Sequence, residues 1–555
     1  MTNGFAAPAI GVVISVALTL LLLGVMIAAR RSQHSPADFY VAGRRIGAGQ
    51  NALALFASFI LLSTMVTMTG HIALNGFDAF LFAAGFTLSW LIALLIFASP
   101  LRNVGGQTIG DVFALRTGER SARTASLVVT LLLYATYTIV MMNAVGIVAS
   151  VMFGVAPGTG QAVVVAAVGL LVTLFVLVGG MLGTTRLLAV KAVLVIGILA
   201  ALTIVVLAKY RWNLGQLLGD AQAKALPHPG GYDLLGTGRE FGEGSPIVHL
   251  SKLFAVIVGH AALPYLFMRH FTVTSGRDAR RSTGWASMMF VPFYLCTAVL
   301  GLGAVALLGG QNIGMTPPTR DITLPRLADL LGGPWVAGLL GATAMLVVAG
   351  ILAALLISAV TSVTRDFRAA RRMPLDSAAE LRAARRNTVI IGVAAVVVSV
   401  ALLQVNTHSL IPITVDLGGV VLPAVIYSLF WKRFNTAGLR WTVYGGIAVT
   451  GILFLFSGLM SGTPVAMLSG VDFHVIDFDP ALVAVPLTFL LGYLGTISSR
   501  ERDSRGFAEL QVRAFTGADV PARRDRTAGP AHADERPDER ADEPARASQT
   551  PSRAR

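Results

Sequence analysis

The chain has 555 residues, 55% of them hydrophobic and only 13% charged, with a formal net charge of +14 and a single cysteine. Soluble domains carry about 25% charged residues, so this composition excludes an ordinary soluble protein and predicts one that lives in a bilayer. Cys296 alone excludes an internal disulfide and a thiolate metal cluster. The basic excess sits in connections between apolar runs and in the tail, which reads as membrane topology and not as nucleic-acid binding.

Windows of about 20 apolar residues predict an all-α polytopic membrane protein with thirteen transmembrane helices. They lie near 7–29, 48–70, 78–99, 124–152, 161–180, 185–208, 248–268, 284–309, 335–364, 387–405, 409–431, 441–461 and 480–498. The first is too long and too poor in cleavage features for a signal peptide and reads as an anchor. Two stretches stand apart. Ala48–Leu74 carries Gly70-His71, and His249–Val273 carries Gly259-His260 and Pro264. Gly and Pro weaken a helix, and in hydrocarbon the freed backbone groups need partners in the protein or in a wet cavity. Interrupted segments in both halves of a polytopic chain point to a transport site.

With the N-terminus outside, the cytoplasmic connections hold 24 Lys and Arg and the outer ones six. In this tally Arg186 and Lys191 belong to a cytoplasmic connection, and Arg269 snorkels from the inner end of its span. The bias predicts a plasma (inner) membrane protein, N-terminus outside and C-terminus cytoplasmic. Residues 209–247 form an external loop. Between Gly462 and Asp479, the residues Asp472, His474, Asp477 and Asp479 match no metal-ligand spacing and read as a solvated acidic loop. The segment 499–555 is a cytoplasmic tail, disordered from about residue 517 because it is mixed in charge and poor in apolar residues.

Motifs then accumulate along the chain: ADFYVAGRRIGAGQNALA (37–54), GFDAF (76–80), LRNVGGQTIGDVFALR (101–116), VLVGGMLGTTRLLAVKAVL (176–194), LPYLFMRHFTVTSGRDARRS (263–282), LLGGPWVAGLLGATAMLVVAG (330–350) and TSVTRDF (361–367). In this order the chain resembles the sodium:solute symporter family, and within it the acetate and monocarboxylate permeases, from about Asp38 to Ala522. The resemblance implies a LeuT-type core of two inverted five-helix repeats, 48–208 and 248–431. Residues 1–47 precede it with an extra helix and a cytoplasmic loop, and 432–498 add two further helices. The first helix of each repeat is then an interrupted one. Half-helix N-termini there would present N–H groups to an anionic solute.

The resemblance also exposes departures. Sodium-coupled relatives place an Asp in the first core helix and hydroxyls on the eighth. Here those positions hold Ser58, and Gly350 with Ile351, while Met141 and Ile147 stand where acetate permeases have Gln and Lys. The expected substrate-binding residues are Thr67, Thr69, Gly70, His71, Tyr137, Asn143, Gly259, His260 and Tyr265. The residues left for ion coupling are Ser58, Ser63, Thr64, Ser358, Thr361 and Ser362, and their hydroxyls equally suit bonds to the preceding turn. His260 and His71 read either as proton-exchanging groups or as carbonyl-bonded histidines. Asp111 with Arg116, and Arg277 to Arg281, read as surface or gate pairs.

The expected function is symport of a small monocarboxylate such as acetate, propionate or pyruvate. No cofactor is expected beyond Na+ or H+ as coupling ion. The expected partners are the solute and the lipid bilayer, with no nucleic acid, and a small membrane subunit or homo-oligomer is left open. The alternatives are a carrier of another organic solute such as an amino acid, or an uncoupled solute sensor. No nucleotide loop or nucleophile dyad supports an enzyme.

Overall fold

The structure, a computed structural model, describes residues 8–228, 230–239, 245–313, 319–373, 376–403, 410–463, 466–468, 470–501 and 504–518; the tail expected to be disordered lies almost wholly outside them. The helices are α1 (Pro8–Arg30), α2 (Ala48–Phe59), α3 (Ser63–Asn75), α4 (Phe77–Val104), α5 (Glu119–Phe153), α6 (Thr159–Lys209), α7 (Pro246–His260) and α8 (Pro264–His270). They continue with α9 (Gly276–Leu308), α10 (Thr319–Ala370), α11 (Ser377–Ala401), α12 (Leu410–Phe430), α13 (Thr436–Leu455), α14 (Ala481–Ile497) and α15 (Ser504–Thr516). Shorter helical turns fill some connections, and the β pairing among the described residues is two isolated bridges, Ile46–Val273 and Ser457–Ile476.

Among the described residues nine helices are long and apolar enough to cross a membrane, or up to eleven if each of two bent pairs makes one span. This tally differs from the expected thirteen at two places. The expected spans 161–180 and 185–208 are the two arms of α6, two helices that meet at a kink at Gly180, where φ is 52° and ψ −150°. Straight, its 51 residues would run about 77 Å, more than twice a ~30 Å hydrocarbon core. Helix α14, at 17 residues, is shorter than the roughly 20 that a span needs.

Burial ranks the helices. The apolar window of α10 is 94% buried and that of α1 only 17%, so α10 is the inner column and α1 lies at the periphery. Against α10 pack α5, α6, α3 and α8.

The two bent pairs break differently. Between α7 and α8 the bend is 42°. Leu263 is extended and Pro264 opens α8, the helix position where a missing N–H costs nothing. Between α2 and α3 the bend is 76°, yet it falls at Ile60 and Leu61, with neither Gly nor Pro. Gly70-His71, expected to mark this break, lies inside α3. Here the break is fixed by side chains. Thr64 Oγ1 accepts from the Leu61 N–H at 2.8 Å and donates to its carbonyl at 3.0 Å. That N–H is the one a continuous helix would give to the Ala57 carbonyl.

Candidate functional site

The broken helices meet at their breaks. Tyr265, second residue of α8, makes a long hydrogen bond of 3.5 Å to the Ser58 carbonyl at the end of α2. The Phe59 ring lies 5.2 Å from the ring of His260 at the end of α7. From α5, the Tyr137 ring approaches Tyr265 edge-on at 6.1 Å. Phe86, 5.1 Å from His260, and Phe290, 5.2 Å from Phe59, extend an aromatic wall on one side. Ser58, Tyr137, His260 and Tyr265 are all buried, so this conformation closes the region to solvent.

Carbonyls freed by the α2 break converge on a charge that the sequence reading put in a loop. Lys191 is fully buried on the second arm of α6. Its Nζ donates to the carbonyls of Ala57 at 2.7 Å, Ile60 at 2.7 Å and Val347, on α10, at 3.1 Å. The cytoplasmic assignment of Lys191 is therefore corrected: the connection between the two arms falls at Gly180, and Lys191 lies buried eleven residues into the second arm. Arg269 is corrected too. It is buried rather than snorkelling, because α8 ends within the bundle, where its Nη1 donates to Thr185 Oγ1 at 2.7 Å.

A second cluster lies at the ends of α5 and α10. Asp366, fully buried, accepts from Thr108 Oγ1 at 2.8 Å, Ser126 Oγ at 2.9 Å, Ser362 Oγ at 2.7 Å and Arg123 Nη1 at 3.1 Å. Arg123 also holds Asp111 at 2.5 Å. Burial pushes the Asp111 carboxyl up, but Arg123 and the amides of Gln107 and Thr108 hold it below the usual carboxylate range. Arg123, not Arg116, is thus the partner of Asp111. Arg116 instead donates to the carbonyls of Lys432 at 2.8 Å and Phe434 at 3.0 Å. A cavity of about 490 Å³ opens beside this cluster, lined by Arg44, Gln107, Asp111, Arg123, Arg365 and other residues.

The remaining expected residues divide between the two places. Near the α2 break, Ser58 Oγ bonds back to the Ala54 carbonyl at 2.6 Å and Thr64 caps α3. Ser63 and Thr67, half-buried, open and close a wide turn at the start of α3. Thr69 Oγ1 donates to the Met65 carbonyl at 3.0 Å. Gly70 is buried in α3, while His71, half-buried, faces Phe82 with 5.9 Å between rings. Gly259 packs directly on the Val415 carbonyl of α12, where any side chain would collide. His260 Nδ1 lies 3.1 Å from the Val256 carbonyl, one turn back. Asn143 is half-buried on α5. On α10, Ser358 is buried, Thr361 bonds back to the Ile357 carbonyl at 2.7 Å, and Ser362 belongs to the Asp366 cluster.

Sequence reasoning missed Lys191, Thr185 and the role of Asp366. For Lys191 a signal existed: an ionisable residue within an apolar run is a functional candidate by default.

A family model described as the sodium:solute symporter family matches residues 39–446. A monocarboxylic acid transporter of Corynebacterium glutamicum is 33% identical over 534 residues, 94% of this chain and 97% of its own length. An uncharacterized symporter of Bacillus subtilis, YwcA, is 29% identical over 516 residues, 90% of this chain and 96% of its own. Among solved structures, a Na+-coupled sialic acid symporter in a substrate-bound outward-open state superposes with a TM-score of 0.69 at 14% identity, covering 89% of this chain and 99% of that one. MhsT in complex with L-phenylalanine gives 0.50 at 15% identity, covering 82% and 99%. The likeness to these structures is one of fold, the LeuT-type helical bundle.

Proposed function

Because the chain belongs to the sodium:solute symporter family, we propose that it carries a small monocarboxylate, such as acetate, propionate or pyruvate, across the cell membrane with a cation. The observation that carries the substrate class is the end-to-end match to a monocarboxylic acid transporter, 33% identical over 94% of this chain. The site between the breaks is consistent with it. Helices α2, α3, α6 and α8 contain no Asp or Glu, while the Lys191 ammonium lies at the α2 break. A positive charge with no carboxylate on these four helices favours a monoanion over a cationic solute. Tyr137 and Tyr265 offer hydroxyls and ring faces to a short solute, and the aromatic wall limits its size. In this reading the Asp366 cluster lies on the cytoplasmic side, with the N-terminus outside.

Uptake of labelled acetate, propionate and pyruvate into proteoliposomes tests the proposal. Pyruvate, the strongest acid of the three, crosses a bare bilayer least as the neutral acid and gives the cleanest signal. Saturable uptake of at least one, absent from protein-free vesicles and reduced in Tyr265→Ala, is the expected result. Uptake of amino acids with none of the three acids would overturn it.

A further inference from the structure

The Lys191 cage has the form of a hard-cation site. A break in one helix exposes carbonyls, and a facing helix completes the shell, which is how unwound segments of transporters hold coupling ions. Here the shell is the carbonyls of Ala57, Ile60 and Val347, and the group among them belongs to the chain. The lost hydroxyl position makes room for it. A Cβ on Gly350 would stand 3.1 Å from Lys191 Cδ and 3.1 Å from Leu187 Cδ2. The absent side chain on α10 and the inserted lysine on α6 are thus complementary, and a free sodium ion would meet both an occupied cage and a like charge.

We propose that Lys191 Nζ is the coupling-cation site of this carrier, so that a proton bound there, and not a sodium ion, moves with the solute. The chemistry lies in the donor count. An ammonium has three N–H donors and no acceptor, matching three carbonyls. Loss of the proton leaves two N–H bonds and a lone pair on nitrogen, turned toward a carbonyl oxygen that it cannot engage. The clamp between the α2 end and α10 therefore holds in the protonated state and loosens when the proton leaves. In each cycle a proton from the outer solution forms the third N–H bond. On the inner side that bond breaks, the electron pair stays on nitrogen, and water takes the proton.

The surroundings add no competing counter-charge. From α2 the facing groups are carbonyls and Ser58, whose hydroxyl is committed to Ala54. From α8 they are the Tyr265 phenol on the Ser58 carbonyl and Arg269 on Thr185. Helix α10 has no Asp or Glu between Asp329 and Asp366, and of the other helices against α6, α1 has none, α5 none after Glu119, α9 none after Asp278 and α11 none after Glu380. The ammonium is held by backbone dipoles alone, which makes its proton the element that decides whether the cage stays assembled.

This inference rests on the chain being a solute carrier, and its test separates the two. Purified full-length protein is assayed for 22Na+ binding, and for the effect of NaCl against choline chloride on Tm; neither needs a substrate. The expected result is no saturable 22Na+ binding and no sodium-specific Tm shift. In proteoliposomes, labelled pyruvate should accumulate under an inward proton gradient and not under a sodium gradient alone. Lys191→Arg keeps a charge that does not come off, so it should lose proton-driven accumulation of pyruvate. Gel filtration shows whether that variant folds; if it does not, the wild-type sodium measurements still decide. Saturable sodium binding by the wild type, or proton-driven accumulation by a folded Lys191→Arg equal to the wild type, overturns the inference. Absence of pyruvate transport in the wild type would refute the substrate reading and leave the sodium measurements standing.

Discussion

Asp366 shows how one side chain holds several segments. Its two oxygens take four donors from three places: the turn at Thr108, Ser126 and Arg123 on α5, and Ser362 on its own helix. In Asp366→Asn one oxygen becomes an N–H donor. Hydroxyls can rotate to accept from it, but the Arg123 guanidinium has only donors. Breaking one side of a buried charged pair costs roughly 3–5 kcal/mol, less where the other charge keeps a partner. Arg123 keeps Asp111, so a loss of about 2–3 kcal/mol is expected for Asp366→Asn, read as a lower Tm in detergent. Ser126→Ala, removing one hydroxyl donor from a carboxylate that keeps three others, should cost about 1.5 kcal/mol, the low end for a bond to a charged group. Equal Tm values for the two variants would contradict this ranking. Gly350 is coupled to Lys191 in the same local way. Gly350→Ser should lower Tm in the wild type and do so less in Lys191→Ala, where the aliphatic chain it presses on is gone. Contacting residues of this kind show coupling of about 0.5–3 kcal/mol, and strict additivity in the double-mutant cycle would refute the contact.

At the level of helices, legibility in the sequence depended on whether a break had a local cause. The α7–α8 break was legible, because Pro264 opens α8 and Gly259 admits the close crossing with α12. The α2–α3 break was not, since Phe59, Ile60 and Leu61 carry no breaking residue. Its partners are Thr64, nearby, and Lys191, 131 residues from Ile60. Only the fold could reveal that a lysine within an apolar run caps carbonyls so far away. Gly70 drew attention by residue type alone and sits in regular helix. The turn that does need glycine is Gly76, with φ at 56° and the Leu234 carbonyl where a Cβ would go. Gly76→Ala should therefore displace the 230–239 segment from α3 and α4 and destabilise by more than about 1–2 kcal/mol, seen as a lower Tm and faster proteolysis there. The acidic loop was read as solvated, yet it has internal order. His474 Nδ1 lies 2.5 Å from Asp472 and Nε2 lies 3.3 Å from Asp477. Bonding to Asp472 raises the imidazole above its ordinary 6.5. A raised value means the ordering is fully present below about 6.5 and is lost as pH climbs through the folded value. Hydrogen exchange across 470–478 should thus be slower at pH 6 than at pH 8 after correction for intrinsic rates, with the difference gone in Asp472→Asn. A pH difference that survives the substitution would place its origin elsewhere.

For the molecule as a whole, α15 is a strap between parts that a LeuT-type carrier must move. Asn103, at the end of α4, donates to the Ala514 carbonyl at 2.9 Å, and Gln511 donates to the Leu429 carbonyl at the end of α12. The Phe515 ring lies 6.2 Å from Phe430, and the Arg116 guanidinium sits 5.0 Å over Phe507. Alternating access rocks one bundle against the other around a central site, so opening on this side separates groups that α15 joins. Two hydrogen bonds at about 0.5–1.5 kcal/mol each and a cation–π contact at about 0.5–1 kcal/mol bias the protein toward closure by roughly 1.5–4 kcal/mol in sum. Deleting 504–555 removes the strap, whereas deleting 519–555 spares it. The first truncation should lower Tm and speed alkylation of a Thr108→Cys reporter, placed in a Cys296→Ser background to silence the native thiol. Each 1.4 kcal/mol of lost bias corresponds to about tenfold in the open population. The second truncation should label at the full-length rate. Equal labelling of both would show that α15 rides on one moving part and restrains nothing, since a strap that joins two bodies cannot be removed without freeing one of them.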